Sequence, residues 1–169
     1  MYRAVTLFVL TILTTRLPAA ESLTTFTFEG TRIGDTLEDF QARQPIAQQV
    51  KTLAHADAPP LMLSEVTVFE TRKTAADKAR YCFFRDRLYK LTLTYEPTTI
   101  DRLGGIIAFH QRLTAKFGQT RESIWREKDR FLSFSLVLDR YCLWVTDTNV
   151  ENHIKQLNEE KGAQTSPGF

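Results

Sequence analysis

Histidine and cysteine are scarce in this chain, and each shortage closes a route to function. Of 169 residues, three are histidine and two are cysteine. His55, His110 and His153 stand far apart with no ligand-spaced pair among them, which excludes the usual zinc arrangements. A hydrogen-bonded core or boundary position accounts for His110, beside the apolar stripe of its helix. Ser64, Ser123, Ser133 and Ser135 lack a G-x-S-x-G frame, so no nucleophile elbow is present. Gly30 and Gly34 build no phosphate loop and serve a turn before a helix. Asp35, Glu38 and Asp39 gather where a first helical turn favours acids, and need no acid–base role. No catalytic residue, cofactor or metal site is predicted.

An excess of one charge is also missing. The 22 basic residues, less Arg3 and Arg16 of the N-terminal segment, equal the 20 acidic ones. This balance argues against nucleic acid as a partner. Long apolar runs are confined to the start of the chain. Arg3, the uncharged stretch from Ala4 to Thr15, and Leu17-Pro18-Ala19-Ala20 have the three parts of an export signal. Residues 1–20 are therefore expected to be removed, placing the protein in the periplasm or outside the cell. Twelve helical residues rise only about 18 Å, short of a bilayer core, so no stable span is expected after cleavage. The absence of a cysteine after the run excludes a lipoprotein anchor.

What remains is long enough to bury about two-thirds of its unfolded surface without metal or disulfide staples. Of the chain's twelve phenylalanines, five tyrosines and two tryptophans, all but Phe8 and Tyr2 lie in this part and supply an aromatic core. Cys82 and Cys142 sit in matching frames, Arg80-Tyr81-Cys82-Phe83-Phe84 and Arg140-Tyr141-Cys142-Leu143-Trp144. An oxidising compartment and an even count favour a disulfide between them; two small buried hydrophobes are the alternative.

The matched frames suggest an internal repeat of a helix and three strands. In the first unit, about 28–96, Asp35 and Glu38 have capping-box spacing, and the helix should stop near Gln44, ahead of Pro45. A short helix could follow from Pro45 with Ile46, Val50 and Leu53 inward. Strands are expected from Ser64, from Arg80 to Phe84 and from Leu88 to Glu96, the last with Tyr89, Leu91, Leu93 and Tyr95 on one face and Lys90, Thr92 and Thr94 on the other. In the second unit, about 98–147, Thr98 or Thr99 can cap a helix whose stripe is Ile100, Leu103, Ile106, Ile107, Leu113 and Phe117. Gly104-Gly105 weakens its start, and Gly118 suits a left-handed C-cap. Strands Glu122–Glu127, Arg130–Leu138 and Tyr141–Thr146 follow, with Leu132, Phe134, Leu136 and Leu138 inward and Ser133 and Ser135 outward. A last helix, about Val150 to Lys161, docks Val150, Ile154 and Leu157, and residues 162–169 form a tail. The predicted fold is α+β: one domain over 21–161, with about six antiparallel strands and helices on one face.

The stretch from Phe28 to Leu37, the turn Phe84-Arg85-Asp86-Arg87-Leu88-Tyr89, and Leu113-Thr114-Ala115-Lys116-Phe117-Gly118 with Trp125 resemble small exported bacterial proteins of the β-lactamase-inhibitor-protein-like fold, which also occurs in a lipoprotein of the outer-membrane assembly machinery. The resemblance implies an envelope protein that acts through protein surfaces. The assembly lipoprotein's cysteine is missing, and nothing identifies an inhibitor's target.

The function expected is therefore that of a non-enzymatic periplasmic protein that binds another envelope protein or peptide. A small hydrolase or a carrier of an apolar ligand is the alternative. The candidate binding surface is the open sheet face, Lys90, Thr92, Thr94, Ser133 and Ser135, with Trp125. Phe84 and Trp144 either project from that face or belong to the core, and their size favours the core. Oligomeric state is not legible.

Overall fold

Alternating apolar residues in the second half of each predicted unit do form strands, and they assemble into one sheet. A computed structural model of the protein describes residues 20–44, 50–52, 63–69 and 75–165. The expected export signal lies outside the described residues but for Ala20. Among the described residues the sheet is antiparallel and has seven strands, β1 (Val50–Thr52), β2 (Leu63–Phe69), β3 (Lys78–Phe84), β4 (Arg87–Tyr95), β5 (Ile124–Glu127), β6 (Arg130–Val137) and β7 (Arg140–Asp147). Their order is β1-β2-β3-β4-β7-β6-β5. Six of them are those predicted. β1 corrects the helix expected from Pro45, for Val50 is in a strand paired with Val66; Ile46 and Leu53 lie outside the described residues.

The order places β2-β3-β4 and β5-β6-β7 as mirrored triplets that meet at the β4–β7 pair. Each triplet has a two-residue hairpin with both turn residues at positive φ: Arg85 (48°) and Asp86 (65°), Leu138 (46°) and Asp139 (62°). Turns of this hand match the twist of the flanking strands. The two hairpins are thus the equivalent parts. The cysteine frames are not, because Cys82 lies on β3, the middle strand of its triplet, and Cys142 on β7, the last of the other.

Four helices complete the described chain: α1 (Leu37–Arg43), α2 (Pro97–Arg102), α3 (Gly105–Phe117) and α4 (Thr148–Thr165). α1 is capped by Thr36, whose hydroxyl accepts from the Asp39 amide at 3.0 Å. Asp35 was the cap expected, but its carboxylate is taken by the Arg32 amide and by the Arg32 and Arg43 guanidiniums. Burial alone would raise its pKa; these donors prevail and hold it below the usual carboxylate range. The cap of α2 also differs from expectation. The N-cap is Glu96, with no side-chain cap bond; the Thr99 hydroxyl donates to Asp77, whose other oxygen accepts from the Glu96 amide, so the start of the helix is tied to the residue before β3. Leu103 and Gly104 (φ 92°) separate α2 from α3, whose first residue, Gly105, is also at positive φ (84°), in line with the weakening expected of that glycine pair. Asp147 Oδ1 accepts from the Asn149 and Val150 amides and begins α4, which runs through Gly162 to Thr165 where the sequence predicts a tail.

α1 and α3 pack on one face of the sheet, as predicted for the two unit helices. Phe40 of α1 sits 4.5 Å from Tyr81 and 5.6 Å from Phe83. Phe109 of α3 sits 5.1 Å from Tyr95 and 5.0 Å from Phe134. α4 makes its contacts on the other face, where His153 meets Phe84 and Glu151 pairs with Lys90 at 2.9 Å. A bulge between Cys82 and Phe83 leaves Tyr89 opposite no residue, so Leu88 takes the inward place predicted for Tyr89. The residues ahead of the first predicted unit also join the core: Leu23 and Phe26 are buried with Phe28. Glu127 on β5 holds this segment by accepting from the Ser22 hydroxyl and the Leu23 amide.

Candidate protein-binding groove

Apolar side chains that folding leaves in water mark the place where something else covers them. Among the described residues the exposed large hydrophobics are Ile106, Ile107, Leu136, Val137 and Leu138. All five belong to the start of α3 and the β6–β7 hairpin. Between these elements runs an open groove of about 520 Å³, with Ile106, Ile107 and His110 on the helix side and Phe134, Leu136 and Tyr141 on the sheet side.

Local sequence explains why the groove exists. Gly104-Gly105 restarts the helix, and the buried stripe of α3 is Phe109, Leu113 and Phe117. Ile106 and Ile107, predicted inward, lie in the first turn ahead of that stripe and stay exposed, Ile107 at 73%. On β6 the predicted alternation is correct in face, for Leu132 and Phe134 are buried. The cover stops before the strand does, so Leu136 is exposed and Leu138, predicted inward, lies in the turn at 91% exposure.

The groove reaches round the edge of β6. Pairing with β5 ends at Ile124 opposite Ser133, whereas pairing with β7 continues to Val137 opposite Arg140. Ser123, at φ 55°, turns the chain away. Its carbonyl accepts from the Phe134 amide at 3.0 Å, so that amide points to the β5 side of β6. By the period of two, the N–H and C=O of Leu136 point the same way, past the end of β5. Ser123 and Ser135 line the groove at this edge.

The predicted binding surface divides. Lys90, Thr92, Thr94, Ser133 and Ser135 do share a sheet face, by the pairings of Thr92 and Ser133 with Trp144 and of Thr94 and Ser135 with Cys142. That face is not open throughout. Thr92, between Arg80 and Trp144 on its neighbouring strands, is only 4% exposed, and its hydroxyl is buried without a partner. Lys90 is engaged by Glu151, and Thr94 and Ser133 are half-buried. Ser135 alone reaches the groove. Trp125 lies on the opposite face, buried against Phe117 of α3, with its indole N–H donating to the Gly118 carbonyl at 2.8 Å. Phe84 is buried, and Trp144 half-buried.

The predicted disulfide is not formed: both cysteines are free. β4 lies between their strands, with Cys82 opposite Lys90 and Cys142 opposite Thr94. Two strand spacings across and four residues along put their Cα atoms roughly 16 Å apart, against the 4.4–6.8 Å or so a bridge allows. Burial, with Glu65 nearby, pushes the Cys82 thiol up to about 11 although Arg80 and Lys90 oppose the shift. A thiol so protonated is a poor nucleophile.

Among the described residues no three His, Cys, Asp or Glu side chains gather as metal ligands, and no helix is long and apolar enough to cross a membrane. The space between α3 and the sheet beside Phe26, Leu93 and Phe109 measures about 160 Å³, smaller than the roughly 300–1,000 Å³ of pockets for organic ligands. No family model, curated protein or solved structure matches the chain.

Proposed function

We propose that this chain is a non-enzymatic protein of the bacterial envelope, exported by its N-terminal segment, that binds an apolar segment of another envelope protein in the groove between α3 and the β6–β7 hairpin. One observation carries the reading: the exposed large hydrophobics among the described residues converge there from two elements far apart in sequence. Interfaces gain most from apolar anchors seated in such a concavity. The site thus moves from the open sheet face, favoured by sequence alone, to the end of the sheet. The apolar-carrier alternative asks for a large cavity enclosed between sheet and helices; the space beneath α3 is small, and the groove, though of ligand size, is open to solvent.

A photo-crosslinking side chain at Ile107, in cells that export the protein, tests this. One discrete adduct should form, with its crosslinked peptide mapping to an apolar segment of the partner, and Leu136→Asp should abolish it. The same probe at Lys155, exposed on α4, should give none. Equal labelling from both positions would refute the groove as the binding site.

A further inference from the structure

The groove has a property that an apolar patch alone lacks, namely a length of sheet edge. Beyond Ser133, β6 has no strand on its outer side among the described residues, and the N–H and C=O of Leu136 point there. The segment is Phe131-Leu132-Ser133-Phe134-Ser135-Leu136-Val137-Leu138, eight residues without charge or proline. Exposed edges normally carry lysine, proline or a bulge that prevents pairing with another chain. The outer strand β5 does carry charge, in Arg126 and Glu127. Among the described residues the end of β6 is thus an unprotected part of the sheet margin, and the one that borders the groove.

We propose, building on the groove as a protein-binding site, that its occupant is an extended segment of the partner that adds to β6 as a strand beyond the end of β5. Backbone groups of the occupant satisfy Leu136, and every second side chain enters the groove between Ile106, Ile107 and His110 on one wall and Leu136 and Tyr141 on the other. A helix could fill the apolar volume but offers no free backbone groups along its side to the edge. A strand supplies both, in the manner of strand addition. Recognition therefore selects apolar residues at i and i+2, with little demand on the residues between.

The test is selection of a random dodecapeptide display library on the purified chain, with Ile107→Asp protein in solution as competitor. The expected peptides have apolar residues at alternate positions. Methylating the backbone nitrogen that faces Leu136 should weaken binding about tenfold or more, the scale of one lost buried hydrogen bond with its desolvation. Methylation one residue away, where the nitrogen faces outward, should change it less than about twofold. Exchange of the Leu136 amide with deuterium should slow about tenfold or more at saturation. Peptides with i, i+3, i+4 spacing, indifferent to methylation, would overturn strand addition while leaving the groove as a binding site. Failure to select any peptide that distinguishes the wild type from Ile107→Asp would overturn both. Sedimentation decides the remaining occupant: a reversible dimer abolished by Leu136→Lys would mean that a second copy covers the edge, and would reject a foreign strand.

Discussion

Leu138 and Arg85 hold the same position in the two equivalent hairpin turns, at φ 46° and 48°. Neither residue type suits a left-handed conformation, where glycine or asparagine is preferred. Arginine at an exposed turn has at least good solvation. Leucine at 91% exposure has neither conformational nor solvation gain. Leu138→Asn should therefore raise stability by about 0.5–1 kcal/mol, read from denaturant midpoints, while weakening partner binding. Loss of stability would mean that Leu138 packs against its own chain.

Buried Thr92 and exposed Ser135 separate the closed part of the sheet face from the open part. Thr92→Glu would bury an unpaired carboxylate and should cost about 3 kcal/mol or more, enough to lower the melting temperature sharply. Ser135→Glu should stay within about 0.5 kcal/mol. Phe134→Ala removes an aromatic side chain packed on Phe109 and Tyr141, for which about 3–5 kcal/mol is expected. Thermal melts of the three variants check the order.

Asp35 links stability to acid. Its folded pKa lies below the unfolded value, so its stabilisation is fully present above about pH 4 and disappears as pH falls through the folded value. Asp35→Asn should destabilise the protein at pH 7 by about 1–3 kcal/mol, since it strips Arg43 of its ion pair and weakens the turn before α1. The gap between wild type and variant should narrow as pH drops from 4 to about 2, measured by urea midpoints. A gap independent of pH would assign the loss to packing.

Thiol titration of denatured, non-reduced protein should return two free thiols per chain. Cys82→Ala and Cys142→Ala, each alone, should leave the non-reducing gel mobility unchanged. One bridge per chain would require β3 and β7 to be neighbours and would reject the sheet order.

The alternation of Leu91, Leu93 and Tyr95, and of Leu132 and Phe134, was legible because a strand repeats every two residues whatever lies above it. So was the glycine break at Gly104-Gly105, which depends on backbone torsions within a few residues; the hairpins were legible too, but their turns are Arg85-Asp86 and Leu138-Asp139, one residue off the sequence reading in each case. Tertiary structure decided what each face meets. Leu132 and Leu136 carry the same signal on the same face, yet one is sealed and the other lies open, because the cover over β6 ends between them. The same limit governs Thr92, polar in an alternating strand and closed over by Trp144 and its neighbours, and Tyr89, displaced by a bulge that no local pattern announces. Strand order separated the cysteines, and it rests on which hairpins meet edge to edge. The sequence by itself determined the strand period and the glycine break, which are local in torsion space; burial, strand order and the groove came from contacts between residues far apart in the chain, whose free energy depends on the partner and not on the pattern.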